Sequence, residues 1–144
     1  MTTIIDIADA LVTELAAFTL DTAHPVTVVR AYAPQATSGE LSAITVTVVP
    51  KGTDEALIDR TRAALRHSID IAVQQKIDTT SNSEADALMA LVDGIAEHLR
   101  KSRVLSNVSA YWVECVRTAI YSPEHWREQN VFTSVLTVTY QVLQ

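Results

Sequence analysis

The C-terminal run from Val131 to Val142 (VFTSVLTVTYQV) constrains this chain more than any other stretch. Phe132, Leu136, Val138, Tyr140 and Val142 fall at every second position, with Ser134 the one small interruption. Thr133, Thr137, Thr139 and Gln141 lie between them. Period-two alternation in a run rich in β-branched and aromatic residues predicts a strand with one dry and one wet face. At about 3.3 Å per residue the strand is roughly 40 Å long, while the radius of gyration expected at this chain length is about 15 Å. Such a strand is long enough to reach past its own core towards a partner.

The upstream chain supplies the elements that cover it. Ile4, Ile7, Ala8, Leu11, Val12, Leu15 and Phe18 recur at three- and four-residue steps, predicting a helix over 4–18, with Thr3 and Asp6 at capping-box spacing. Val26 to Tyr32 and Leu41 to Val49 read as two strands around the turn residues Pro34 to Gly39, and an antiparallel hairpin is expected of them. Pro50-Lys51-Gly52 is expected to stop the second strand, and residues 54–65 to form a short helical segment. His67 to Ile77 alternates again, as a strand buried on one side. Ser81 and Glu84 have capping-box spacing before a helix over 84–101, whose interior holds Gly94. Ser109 to Tyr121 is a strand with apolar residues on both faces, which suits a central strand or one whose outer face meets a partner. The strands come mostly in adjacent pairs. The expected fold is therefore α+β, a single domain over residues 1–144. It has a mostly antiparallel sheet of about four to five strands and two main helices packed on one face.

Charge and cysteine usage narrow the function classes. A net charge of −6 disfavours tight binding to DNA or RNA. Arg60, Arg62, Arg66 and His67 form one loose cationic group; His98, Arg100, Lys101 and Arg103 form another, where a helix end is expected and cations complement the macrodipole. No apolar run approaches the length of a membrane span, and Asp6 and Asp9 interrupt the N-terminal apolar stretch, unlike a signal peptide. The single cysteine, Cys115, leaves no intramolecular disulfide and fits a reducing compartment.

Reactive constellations are not found. Gly39, Gly52 and Gly94 are isolated, so no glycine loop cradles a phosphate. His24, His67, His98 and His125 are dispersed and form no metal-ligand pattern. Cys115 reads as a small buried hydrophobe rather than a nucleophile paired with His125. No catalytic residue, cofactor or metal is expected. What remains is a polar turn bracketed by aromatic residues. Tyr121, Pro123, His125, Trp126, Arg127 and Phe132 combine aromatic rings with arginine, as protein interfaces do. The competing reading is that Trp126 seals the core.

The opening ADALVTEL, the strand pair, the VVPKG stop and the ending YSPEHWREQNVFTSVLTVTY together resemble the tail terminator and tail-completion proteins of tailed bacteriophages, also called neck or minor tail proteins. The layout matches over most of the chain and the motifs over about thirty residues, the terminal stretch being the most specific part. The resemblance implies a non-enzymatic virion protein with helices packed on an antiparallel sheet. It implies a ring of copies, hexameric in this family, that caps the tail tube, ends its polymerisation and offers a docking face to the head connector. The implied partners are further copies of the chain, the tail-tube protein and the head-connector protein. DNA passes through the lumen without specific binding, in keeping with a negative protein. No membrane is involved, and the expected location is the virion, after assembly in the host cytoplasm. The alternatives are another phage neck or tail-tube structural protein, or a small ligand-binding or enzymatic α+β domain with a polar pocket.

Overall fold

The computed structural model describes residues 3–19, 26–32, 44–76, 82–102, 109–119 and 131–143. In chain order they form α1 (Ile4–Thr19), β1 (Val26–Arg30), β2 (Ile44–Leu57), β3 (Ala63–Lys76), α2 (Asn82–Ser102), β4 (Tyr111–Ala119) and β5 (Val131–Leu143). The strands make one sheet in the order β1-β2-β3-β5-β4, antiparallel except for β1 against β2. This is the expected α+β architecture.

Helix α1 begins where its capping box places it. Thr3 N donates to Asp6 Oδ2 (2.9 Å) and Asp6 N donates to Thr3 Oγ1 (3.2 Å). The backbone N–H of Thr3 is the main reason the Asp6 carboxyl is held below its ordinary range. Ser81, the expected cap of α2, lies outside the described residues. At its other end α2 carries Arg100 and Lys101 in the last turn, complementing the helix dipole.

One row of side chains across the sheet shows how the layers stack. Arg30, Val48, Ile71, Leu136 and Arg117 are successive register partners from β1 to β4, so all five share a face. The three apolar members are fully buried. The two outer arginines reach up to the helices: Arg30 Nε lies 2.7 Å from Asp9 of α1, and Arg117 pairs with Asp93 of α2. Both helices therefore lie on the same face. Ile7, Leu11 and Leu15 of α1 and Leu88, Val92, Ile95 and Leu99 of α2 close the core over this face. Between the helices His98 stacks on Phe18 with ring centroids 4.5 Å apart, and its Nε2 donates to Glu14 Oε1 at 2.9 Å.

The opposite face is polar but not uniformly wet. Gln74 Nε2 donates to Thr133 Oγ1 (3.4 Å), Thr137 Oγ1 donates to Asp70 Oδ1 (2.7 Å), and Arg66 Nε donates to Gln141 Oε1 (3.3 Å). Thr47, Ala72 and Gln74 on this face are fully buried, so polar identity alone did not mark a solvated surface.

Four expectations are corrected. First, β1 and β2 are parallel neighbours rather than a hairpin. Parallel strands need a connection of about a dozen residues or more, and the chain between Arg30 and Ile44 has that length. Second, Pro50-Lys51-Gly52 does not stop β2. Lys51 is an extra residue in a bulge, a site that tolerates proline's missing N–H, and pairing resumes at Gly52. Third, residues 54–65 are not helical. Leu57 pairs with Ala63, and the turn between them is built on Asp59, whose Oδ1 accepts from Thr61 N and Arg62 N, each at 2.9 Å. An aspartate that bonds the backbone two and three residues on makes a turn, overriding the helix formers around it. Fourth, β4 is not central; it is an edge strand with bulges at Val113 and Thr118. Each bulge shifts the alternation by one residue. Trp112, Cys115 and Arg117 consequently share the helix face, and Tyr111, Glu114 and Val116 share the other.

Gly94 offers a simple stability test. A Cβ built there would meet only the Phe18 ring, 3.5 Å away, which is ordinary contact. Gly94→Ala is expected to stabilise the fold by about 0.5–1 kcal/mol, because alanine gains helix propensity and restricts the unfolded chain. Urea unfolding measures it; a loss of stability would mean that the α1–α2 contact has no room for a methyl group.

Candidate assembly surface

The reach past the core expected of β5 is not seen. β5 is an interior strand, hydrogen-bonded to β3 on one side and to β4 on the other. β2 and β3 run on together past the bulge with β5 paired to β3 as far as Ala64–Leu143, so the Leu57–Ala63 pair and its turn extend beyond β5, and every residue from Lys51 to Arg62 is exposed. The turn is stiffened by Asp59, which also accepts from Thr61 Oγ1 (3.0 Å) and Arg62 Nε (3.0 Å). These donors hold its carboxyl below the usual range, the Thr61 N–H contributing most. At the tip two large apolar side chains face solvent: Leu57 is 83% and Ile58 51% exposed. Exposed apolar side chains scattered singly are ordinary, whereas these two are adjacent in the turn.

Just past the bulge β2 and β3 are tied together by His67. Its Nδ1 shares a 2.8 Å hydrogen bond with Thr53 Oγ1 in the second register pair after the bulge, and the ring is buried at 4% exposure. Burial lowers its pKa from the ordinary 6.5, opposed in part by the charge of Glu55. A depressed folded-state pKa means that the neutral ring is the form the fold favours. The stabilisation is therefore complete above about pH 6.5 and is lost as pH falls through the lowered value. Melting temperature is expected to drop between pH 7 and pH 5 more steeply in the native chain than in His67→Gln; parallel profiles would exclude His67 as the acid-sensitive group.

A second feature lies on the far side of the sheet. Between α2 and β4 is a groove of about 460 Å³ lined by Asp93, Ala96, Glu97, Arg100, Trp112, Cys115 and Arg117. Ala96, Trp112 and Cys115 line it beside the charged residues, and the exposed lining is mostly polar. Its rim carries both charges. Asp93 is paired with Arg117, and Glu97 with Lys101 at 2.8 Å. Cys115 is half-buried and free, and burial pushes its thiol pKa up against the opposing charge of Arg117, which makes it a poor nucleophile. On the other face of β4, Tyr111 (56%) and Val116 (46%) are exposed beside the outer edge of that strand.

Of the residues expected at an interface, Tyr121, Pro123, His125, Trp126 and Arg127 lie outside the described residues. Phe132 is 2% exposed in the core, where it packs beneath the helices rather than on the surface. Sequence reasoning missed the β2–β3 hairpin turn, because it was read as helix, and missed the groove, because strict alternation put Trp112 on the face opposite Cys115 and Arg117. The signal that could have found the turn is Asp59-Arg60-Thr61-Arg62, a turn-forming aspartate between two alternating runs. Among the described residues no group of three or more His, Cys, Asp or Glu side chains could hold a metal ion, and no helix is long and apolar enough to cross a membrane.

No protein-family model matches the sequence, and no curated protein matches it. The fold is similar to that of a chain in the virion of a native gene transfer agent particle, with a TM-score of 0.59 and 18% sequence identity, covering 96% of this chain and 95% of that one.

Proposed function

We propose that this chain is a non-enzymatic virion structural protein that assembles with copies of itself into a ring capping a phage tail tube. The ring ends tube polymerisation and presents a docking face to the head connector. The observation that carries this reading is the end-to-end similarity to a chain of a gene transfer agent virion, 96% of one chain against 95% of the other. The terminal stretch resembling tail terminators narrows the virion role to the cap. Exposed apolar side chains at two places are available to such a role: Leu57 and Ile58 at the β2–β3 turn, and Tyr111 and Val116 on the edge strand β4.

A closed ring needs a heterologous interface, one patch for each neighbour, and the molecule offers different surfaces at its two sides. The partners are further copies of the chain, the tail-tube protein and the connector, with the Tyr121–Arg127 segment proposed as part of a partner contact. A protein of net charge −6 lines a lumen through which DNA slides without sticking, since carboxylates repel phosphates.

Size-exclusion chromatography with light scattering, followed by negative-stain imaging, tests the proposal. The expected result is a ring of several copies that stops growing by itself and halts tube elongation when added to tail-tube protein. A chain that stays monomeric at tens of micromolar with tube protein present overturns it. The other tail component consistent with the same similarity, a tube protein, would instead polymerise alone into long tubes.

A further inference from the structure

Two buried rings with polar atoms stand among the apolar side chains of the core face, and they fall on one register pair. Beside Ile69, Ile71 and Val73, β3 carries His67; beside Leu136, Val138 and Val142, β5 carries Tyr140. His67 pairs directly with Tyr140, and Tyr140 pairs in turn with Trp112 of β4, so the three rings share a row and a face. Each carries a buried polar atom with no hydrogen-bond partner among the described residues: His67 Nε2, Tyr140 Oη and Trp112 Nε1. His67 is 4% and Tyr140 1% exposed, so bulk solvent does not satisfy them. A buried polar atom left unpaired is costly, and native folds seldom keep one, let alone neighbours in one row.

The row is built to hold something small. His67 Nδ1 is bonded to Thr53 Oγ1 on β2 at 2.8 Å. The two nitrogens of an imidazole point away from each other, so Nε2 is turned from β2. On the other flank of His67 stands Tyr140, and directly opposite residues have Cβ atoms only about 4.5–5.5 Å apart. Nε2 and Oη nevertheless do not bond each other. The row is also built to hold something neutral. Burial is the main cause that raises the Tyr140 pKa and lowers that of His67; Glu14 and Cys115 add to the first, and Glu55 opposes the second. Both rings are therefore neutral at pH 7, and a desolvated site of neutral groups is a poor host for an ion. Its occupant has to accept and donate hydrogen bonds, because an indole N–H only donates while a phenol hydroxyl does either.

We propose that this row binds a water molecule as part of the fold, bridging His67 Nε2 and Tyr140 Oη and accepting from Trp112 Nε1. Three polar partners are typical of a buried water. The bridge joins β3, β5 and β4 through their side chains, and the Thr53 bond continues it to β2. The site lies inside one chain and does not depend on the assembly reading.

A crystal structure that resolves ordered water tests the site directly. The expected result is one water within hydrogen-bond distance of both His67 Nε2 and Tyr140 Oη. Oxygen-17 relaxation dispersion reads the same site in solution: the native chain is expected to hold one more long-lived internal water than Tyr140→Phe. Thermal melting adds a test by sign. An unpaired hydroxyl is better removed, whereas a bridged one is missed, so Tyr140→Phe is expected to lower the melting temperature. His67→Leu with Tyr140→Phe is expected to lose less than the sum of the two single shifts, because each single variant strands the other's polar atom and the double does not. A direct bond between Tyr140 and His67 with no water between them overturns the proposal. So does a Tyr140→Phe that melts at or above the native temperature, or a pair of shifts that simply add.

Discussion

Replacing Phe132 by alanine is expected to cost the fold about 3–5 kcal/mol, the usual range for emptying a buried aromatic site. Phe132 is 2% exposed and belongs to the main core cluster. Its backbone pairs with Gln75 in the middle strand, so the cavity would open beside β3, where the sheet has least freedom to collapse. Domains are typically stable by only about 5–15 kcal/mol, so the variant keeps a small margin. At roughly 2–4 °C per kcal/mol for a chain of this length, the melting temperature falls by on the order of 10 °C. Leu57→Ala removes a similar apolar side chain from an exposed position and is expected to change stability by no more than about 0.5 kcal/mol. Urea denaturation of the pair separates core from surface. If Phe132→Ala unfolds like the native chain while Leu57→Ala does not, the assignment of Phe132 to the core is wrong.

Ile71→Asp is expected to abolish folding outright. Ile71 is fully buried in the middle strand, with Val48 and Leu136 as its register partners. A carboxylate there has no donor and no water, and an uncompensated buried charge costs at least about 3–5 kcal/mol. The neighbouring residue shows that a carboxylate in β3 is not itself the problem. Asp70 points to the other face, accepts a 2.7 Å hydrogen bond from Thr137 and lies 4.0 Å from Lys51. One step along a strand exchanges the two environments. Far-UV circular dichroism and proteolysis of the purified variant test this; a folded Ile71→Asp with native-like melting would require the helices to lie on the Asp70 face instead.

Much of the architecture could be read from periodicity. β3 and β5 alternate, with Ser134 the one interruption in β5, and the structure puts Ile69, Ile71, Val73, Leu136, Val138 and Tyr140 on the core face as their spacing implies. The stripes of α1 and α2 pointed to the right core residues for the same reason. Legibility failed at positions where one residue breaks the period. Lys51 and Val113 are bulges, and nothing local to a sequence distinguishes an inserted strand residue from a paired one. The first hid the second half of β2 by making Pro50-Lys51-Gly52 look like a stop. The second hid the groove by dividing Trp112 from Cys115 and Arg117. Ala56-Leu57 and Ala63-Ala64-Leu65 read as helix formers, yet β3 and β5 give this segment pairing partners that propensity does not see. The parallel pairing of β1 was equally invisible, since composition predicts a strand but not its neighbour's direction. The tie between Glu14 and His98 joins residues 84 positions apart, and only the folded layers bring them together.

The sheet order has a consequence for how the molecule is made. β3 is the middle strand, and its second partner is β5, with Ala64 against Leu143 at the far end of the sequence. During synthesis β1, β2 and β3 leave the ribosome well before β5 exists, so in the nascent chain β3 has β2 on one side and an open margin on the other. Pairings this distant along the chain form slowly, on the millisecond-to-second scale of strand-dominated folds. Until then the open margin is a template for wrong partners. A chaperone that shields this margin until β5 (Val131–Leu143) has been made is therefore expected to raise the yield of folded chain.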